Sequence, residues 1–180
     1  MMGFGRKVYW ALFLLAIGSV ALAQDSRALK ALTPEEVEGF LAGQGMGFAN
    51  VAELNGYPGP RHVLELAQEL SLSDEQREMS KALFDAMRAE TSRRGSELVA
   101  KEHELQQLFT SGQIDDVKLN AAVQEIARLR GVIRESHLRA HLRQAAILTE
   151  EQTARYMELR HGDRTAAEPS ATSHDHHHHH

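Results

Sequence analysis

One short phrase occurs three times in this chain and fixes where its helices begin: Leu32-Thr33-Pro34-Glu35-Glu36, Leu72-Ser73-Asp74-Glu75-Gln76 and Leu148-Thr149-Glu150-Glu151-Gln152. Each sets a hydroxyl three positions before a Glu or Gln, which is the spacing of a capping box. The hydroxyl of Thr33, Ser73 or Thr149 takes up an orphan N–H of the first helical turn. The side chain of Glu36, Gln76 or Gln152 reaches back to the N-cap N–H. Pro34 suits the first helical position, and the surrounding acids suit the positive end of the helix dipole. The phrase predicts three helix starts and an all-α protein.

Apolar spacing fills in the rest. Thr33 to about Leu41 reads as a short helix, after which Gly43-Gln44-Gly45-Met46-Gly47 cannot cheaply continue it. Tyr57-Pro58-Gly59-Pro60 is a turn whose last residue can open a helix running to Leu70. Two long helices are predicted, about Asp74 to Phe109 and Asp115 to Ile147, broken at Gly112; a final helix ends near Arg160 to Gly162. Two such helices joined by a short loop make an antiparallel hairpin. The stripe is weak between Glu90 and Gly95. Leu138, Leu142 and Ala145 form a second apolar face on the later long helix, so a homodimer is expected.

The ends carry other signals. Arg6 and Lys7, the apolar run Val8 to Ile17, and Ala21-Leu22-Ala23 predict a signal peptide over residues 1–23, cleaved after Ala23. Export follows, and loss of those two cations takes the formal charge from −5 to −7. That acidic balance argues against nucleic acid as a partner. Residues 24–56 form a Gly-rich segment with one short helix, 57–162 a helical domain, and 163–180 a disordered His-rich tail, either native or an expression tag. With no cysteine, the fold rests on packing or on a metal. No nucleophile elbow, phosphate loop or His-Glu-x-x-His motif occurs, and the paired acids sit at helix starts, so an enzyme is not expected.

His137 and His141, four apart on the second long helix, put two imidazoles on one face, the way a helix offers two ligands to one metal. Counting residues back from the turns brings His62 to the same open end, with Glu65, Glu69 or Met79 in reach. His62, His137, His141 and Glu65 are therefore the candidate ligands, suited to zinc, nickel, cobalt or copper and not to calcium or magnesium. No organic cofactor is expected. His103 reads as a solvated residue, and His161 as a cation at a helix end.

An exported, cysteine-free helical chain with two Leu-Thr/Ser-x-x-Gln phrases, one opening the hairpin and one following it, resembles the Spy/CpxP group. The stretch from Ala52-Glu53-Leu54-Asn55-Gly56-Tyr57-Pro58-Gly59-Pro60 to Leu66 is similar to the periplasmic heavy-metal sensor or resistance branch of that group. The resemblance implies a four-helix cradle that dimerises in the periplasm, and a stress protein that binds or senses a transition metal. It also implies two alternatives. One is an ATP-independent holdase for unfolded envelope proteins, for which the apolar, Arg-studded face of Leu138, Arg139, Leu142 and Arg143 is the expected grip. The other is an adaptor for a sensor kinase or anti-sigma factor. The first phrase departs from the pattern, having Glu36 in place of Gln.

Overall fold

The computed structural model describes residues 29–165. The expected signal peptide and the terminal histidine run lie outside the described residues. Six helices follow in order, with no strand among the described residues: α1 Pro34–Ala42, α2 Asn50–Glu53, α3 Pro60–Glu65, α4 Asp74–Thr110, α5 Asp116–Ile147 and α6 Glu150–Thr165. Helices α4 and α5 pack along each other as the antiparallel hairpin, while α1 and α3 lie on α4, and α2 and α3 touch α5. The turn is the one expected: Gly112 adopts φ 66°, and Gln113 N–H closes onto the Leu108 carbonyl at 3.0 Å. Asp115 caps α5 by accepting from Lys118 N–H at 2.8 Å. No described helix is long and apolar enough to cross a membrane.

All three capping boxes form, and the two that end in Gln do more than cap. Gln76 and Gln152 each accept the N–H of their own N-cap, from Ser73 at 3.1 Å and Thr149 at 2.9 Å. Their amides then pair with each other, Nε2 to Oε1 in both directions at 2.8 and 2.9 Å. The remaining amide hydrogens go to main-chain carbonyls, Gln76 to Ile147 at 2.9 Å and Gln152 to Leu70 at 3.2 Å. Every donor on both amides is used, so the starts of α4 and α6, the end of α5 and the turn after α3 meet in one polar knot. A carboxylate could not replace either amide, because it has no hydrogen to donate. Glu36 has no such partner and needs only to accept from Thr33 N–H, at 2.8 Å.

The weak stretch of α4 has a positive reason. Helix α1 ends against it, and its last carbonyls are satisfied from α4: Arg88 Nε donates to Ala42 at 3.2 Å, Ser92 Oγ to Leu41, and Thr91 Oγ1 lies 3.3 Å from the Gly43 oxygen. A Cβ on Gly95 would stand 2.0 Å from the Phe40 oxygen, so backbone touches backbone there. The apolar spacing lapses because this face meets a polar helix end.

Two apolar clusters result. Leu32, Phe40, Leu98, Ile126, Leu129 and Ile133 form one toward the middle of the hairpin. Val63, Ala67, Leu70, Leu72 and Tyr156 form the other at its open end. Contrary to expectation, α3 stops at Glu65; Leu66 to Ser71 run on as hydrogen-bonded turns ending at Ser71 with φ 49°. This coiling buries Leu70 and Leu72 together beside Tyr156, which a straight helix to Leu70 would not do. Between the clusters, α5 presents buried His137, His141 and Gln144, and Gln144 Nε2 donates to buried Ser80 at 2.9 Å. The polar layer is where the site lies.

Candidate functional site

A cavity of about 680 Å³ opens in this layer, lined among others by His62, His137, His141, His161, Glu53, Arg88 and Arg160. The three histidines singled out in the sequence therefore reach one space from α3 and α5. His141 is positioned by its Nδ1, which donates to the Tyr57 carbonyl at 2.7 Å and leaves Nε2 with its lone pair. His137 is only 3% exposed and stacks on Phe48 with ring centroids 6.2 Å apart. Its ring bonds to the Gln44 backbone, while Nε2 is buried without a protein partner. Both imidazoles of the i, i+4 pair thus have one nitrogen tied to main chain and the other unclaimed. That is how a metal-ligating histidine is held by its outer shell.

The acid of the site is Glu53, at the end of α2, and not Glu65. Glu65 pairs with Arg61 at 2.8 Å on the solvent side, with both side chains at least half exposed. Glu53 is buried and gathers four groups. His62 Nδ1 lies 3.2 Å from Oε1, His141 Nδ1 3.7 Å from Oε2 and Arg160 Nε 3.6 Å from Oε1, while the Tyr156 hydroxyl donates to Oε1. Burial by itself would raise the carboxyl. The hydrogen bonds from His62 and Tyr156, with the charges of His62 and His141, outweigh it and bring the pKa down to about 2. Burial, then the bond to Glu53 and its charge, push the Tyr156 phenol well above its ordinary value. At His137, burial first and the neighbouring His141 second pull the imidazole below 6.5, favouring the neutral form that binds metals.

The remaining placements differ in character. His62 reaches the cavity with both nitrogens engaged, Nδ1 beside Glu53 and Nε2 3.4 Å from Arg160. Met79 is 49% exposed and does not line the cavity, whereas Met46 and Met87 do. Glu69 and His103 are exposed. His161 is no helix-end cation: α6 continues past it to Thr165, and it lines the cavity with both ring nitrogens buried and unpartnered. Leu138 is half-buried, while Arg139, Leu142 and Arg143 face solvent, away from the histidines. Sequence reasoning passed over Glu53, Gln44, Tyr156, Arg160 and His161 as site residues. One signal was available: Glu53 is the lone acid in the otherwise uncharged stretch from Gly39 to Pro60. Among the described residues, no three His, Asp or Glu side chains converge closely enough to hold an ion as they stand. The donor set fits a transition metal in kind, through two unclaimed imidazole nitrogens, and supplies it incompletely in number.

A family model described as heavy-metal resistance matches residues 39–155. No curated protein and no solved structure matches the chain. The matched span runs from within α1 to within α6, and so contains the hairpin, both Gln boxes and all of the site except Tyr156, Arg160 and His161.

Proposed function

The chain belongs to the heavy-metal resistance family, within the Spy/CpxP-like periplasmic helical clan, and we propose that it is a non-enzymatic periplasmic protein that binds a transition metal between its helices. The observation that carries this reading is the pair His137 and His141, each anchored to a backbone carbonyl and each left with a free Nε2 in the same cavity. Zinc, nickel, cobalt and copper suit imidazole; for copper, the thioethers of Met46 and Met87 in the lining add a soft donor. Glu53 links α2 to His62, His141, Tyr156 and Arg160, so an ion drawing on His141 acts on the contacts that hold α3 and α6 to the hairpin. That coupling would let the protein report the metal to a membrane sensor.

The test is calorimetric titration of zinc, nickel, cobalt and copper into mature protein whose histidines 174 and 176–180 are replaced by alanine. Binding tighter than millimolar is expected, and His137→Ala with His141→Ala should weaken it about 100-fold. Unchanged affinity in the double variant removes the reading.

A second reading draws on a different surface. A shallow groove of about 310 Å³ on α5, lined by Gly131, Arg134, Glu135, Leu138, Arg139 and Leu142, leaves Leu142 57% exposed beside cations. This face suits either the second subunit of a homodimer or an unfolded client. Suppression of client aggregation that persists in a chelator and is lost in Leu142→Glu supports client holding. A halved mass for Leu142→Glu in sedimentation supports the dimer.

A further inference from the structure

The cavity is larger and more cationic than a bare cation needs. Its lining holds Arg88 and Arg160, besides an Arg61 already paired with Glu65, against the single carboxylate of Glu53. Arg88 stands at its edge with one polar contact among the described residues, the Ala42 carbonyl, and no acid to neutralise it. His161 adds two buried nitrogens without partners. A volume of about 680 Å³ is several times that of an ion with a few waters, each of about 30 Å³, and lies in the range of organic-ligand sites. Two imidazoles leave at least two positions of a four-coordinate ion unfilled.

We propose that the protein takes its metal as a complex with a small polycarboxylate, His137 and His141 binding the ion while Arg88, Arg160 and His161 receive the chelator's negative charge. The inference rests on the histidine-pair reading above and adds the chemical class of its ligand. Carboxylate oxygens complete the coordination that the protein leaves open, and the rim arginines bind the outward oxygens by charge-assisted hydrogen bonds. The association exchanges metal-bound water for imidazole and forms no covalent bond.

Nickel chloride, sodium citrate and their equimolar mixture serve as probes, titrated into the full mature chain with its tail histidines replaced. The mixture should bind at least about tenfold more tightly than nickel alone, as two charge-assisted contacts warrant. Native mass spectrometry should show protein, nickel and citrate together. Arg88→Gln should abolish the gain and leave affinity for nickel alone within about twofold, and Arg160→Gln should also abolish the gain. Circular dichroism checks folding, since Arg88 also caps α1. Citrate that merely competes for nickel, with a complex lacking citrate in the mass spectrum, overturns the chelate proposal and leaves the histidine pair standing. Citrate alone binding as tightly as the mixture overturns it too, because the metal is then superfluous. Failure of every probe to bind removes the histidine-pair reading itself.

Discussion

Changing Gln76 to Glu alters one group, NH2 to O, and should cost the fold about 2–4 kcal/mol at neutral pH. The wild-type amide donates to the Ile147 carbonyl at 2.9 Å and to Gln152 Oε1 at 2.8 Å. Both donations vanish, and a carboxylate oxygen is left against two acceptors in a half-buried place. Each lost bond is worth about 1 kcal/mol, and each unsatisfied partner adds a similar cost. A negative charge in the first turn of α4 favours the helix dipole by roughly 0.3–1 kcal/mol, too little to offset the loss. The N-cap contact to Ser73 survives, since a carboxylate accepts as well as an amide does.

Urea unfolding followed by circular dichroism reads the difference. The matched control is Glu36→Gln, at the box with no partner, which should shift stability by no more than about 0.5 kcal/mol. The pH dependence supplies a second signature. The carboxyl introduced by Gln76→Glu is disfavoured as an anion, so its folded pKa rises above the unfolded value. The variant's deficit is therefore full above the folded pKa and shrinks as pH falls through it, when the acid regains a hydrogen to donate. A Gln76→Glu variant within about 0.5 kcal/mol of wild type at pH 7 would refute the knot as a stabilising unit. So would a deficit that does not shrink on acidification.

Three further outcomes follow from the geometry. Gly95→Ala gains up to about 1 kcal/mol of helix propensity but drives a methyl to 2.0 Å from the Phe40 oxygen, so a net loss of about 1–3 kcal/mol and faster amide exchange in α1 are expected. In acid, Glu53 stabilises the fold fully above its unfolded value near 4.5, and that stability drains away as pH falls toward about 2; Glu53→Gln should flatten the acid limb of the stability curve there. Gly59→Ala would set a Cβ 2.9 Å from Cε1 and 3.0 Å from Nε2 of His141, so metal affinity in calorimetry should drop about tenfold or more while the circular dichroism spectrum holds.

The helix starts were legible because a capping box is a local device: Thr33, Ser73 and Thr149 act on residues three away, and the spacing alone specifies the bonds. Gly112 and Pro60 were legible for the same reason. The reciprocal bond between Gln76 and Gln152 was not, although both were marked, because it spans 76 residues and depends on how the helices close. The histidine pair could be seen as sharing a face, and α5 does carry His137 and His141 into the cavity. Its acid was misread because Glu65 is near His62 in sequence, whereas Glu53 is brought there by α2, four residues long and without periodicity to announce it. The lapse between Glu90 and Gly95 looked like weakness because a backbone-to-backbone contact leaves no apolar signature.

A protein whose greasy interior is split in two by a wet waist does not have to come apart all at once. The group around Leu98 and Leu129 draws on the two long helices, the group around Val63 and Tyr156 on α3, the turn after it and α6, and no side chain belongs to both, so one end can loosen while the other stays shut. Whatever settles in the waist touches α2, α3, α5 and α6 together. Its arrival would turn two halves that breathe separately into one that opens only as a whole, a change in rhythm that a neighbouring protein can feel without any large change of shape.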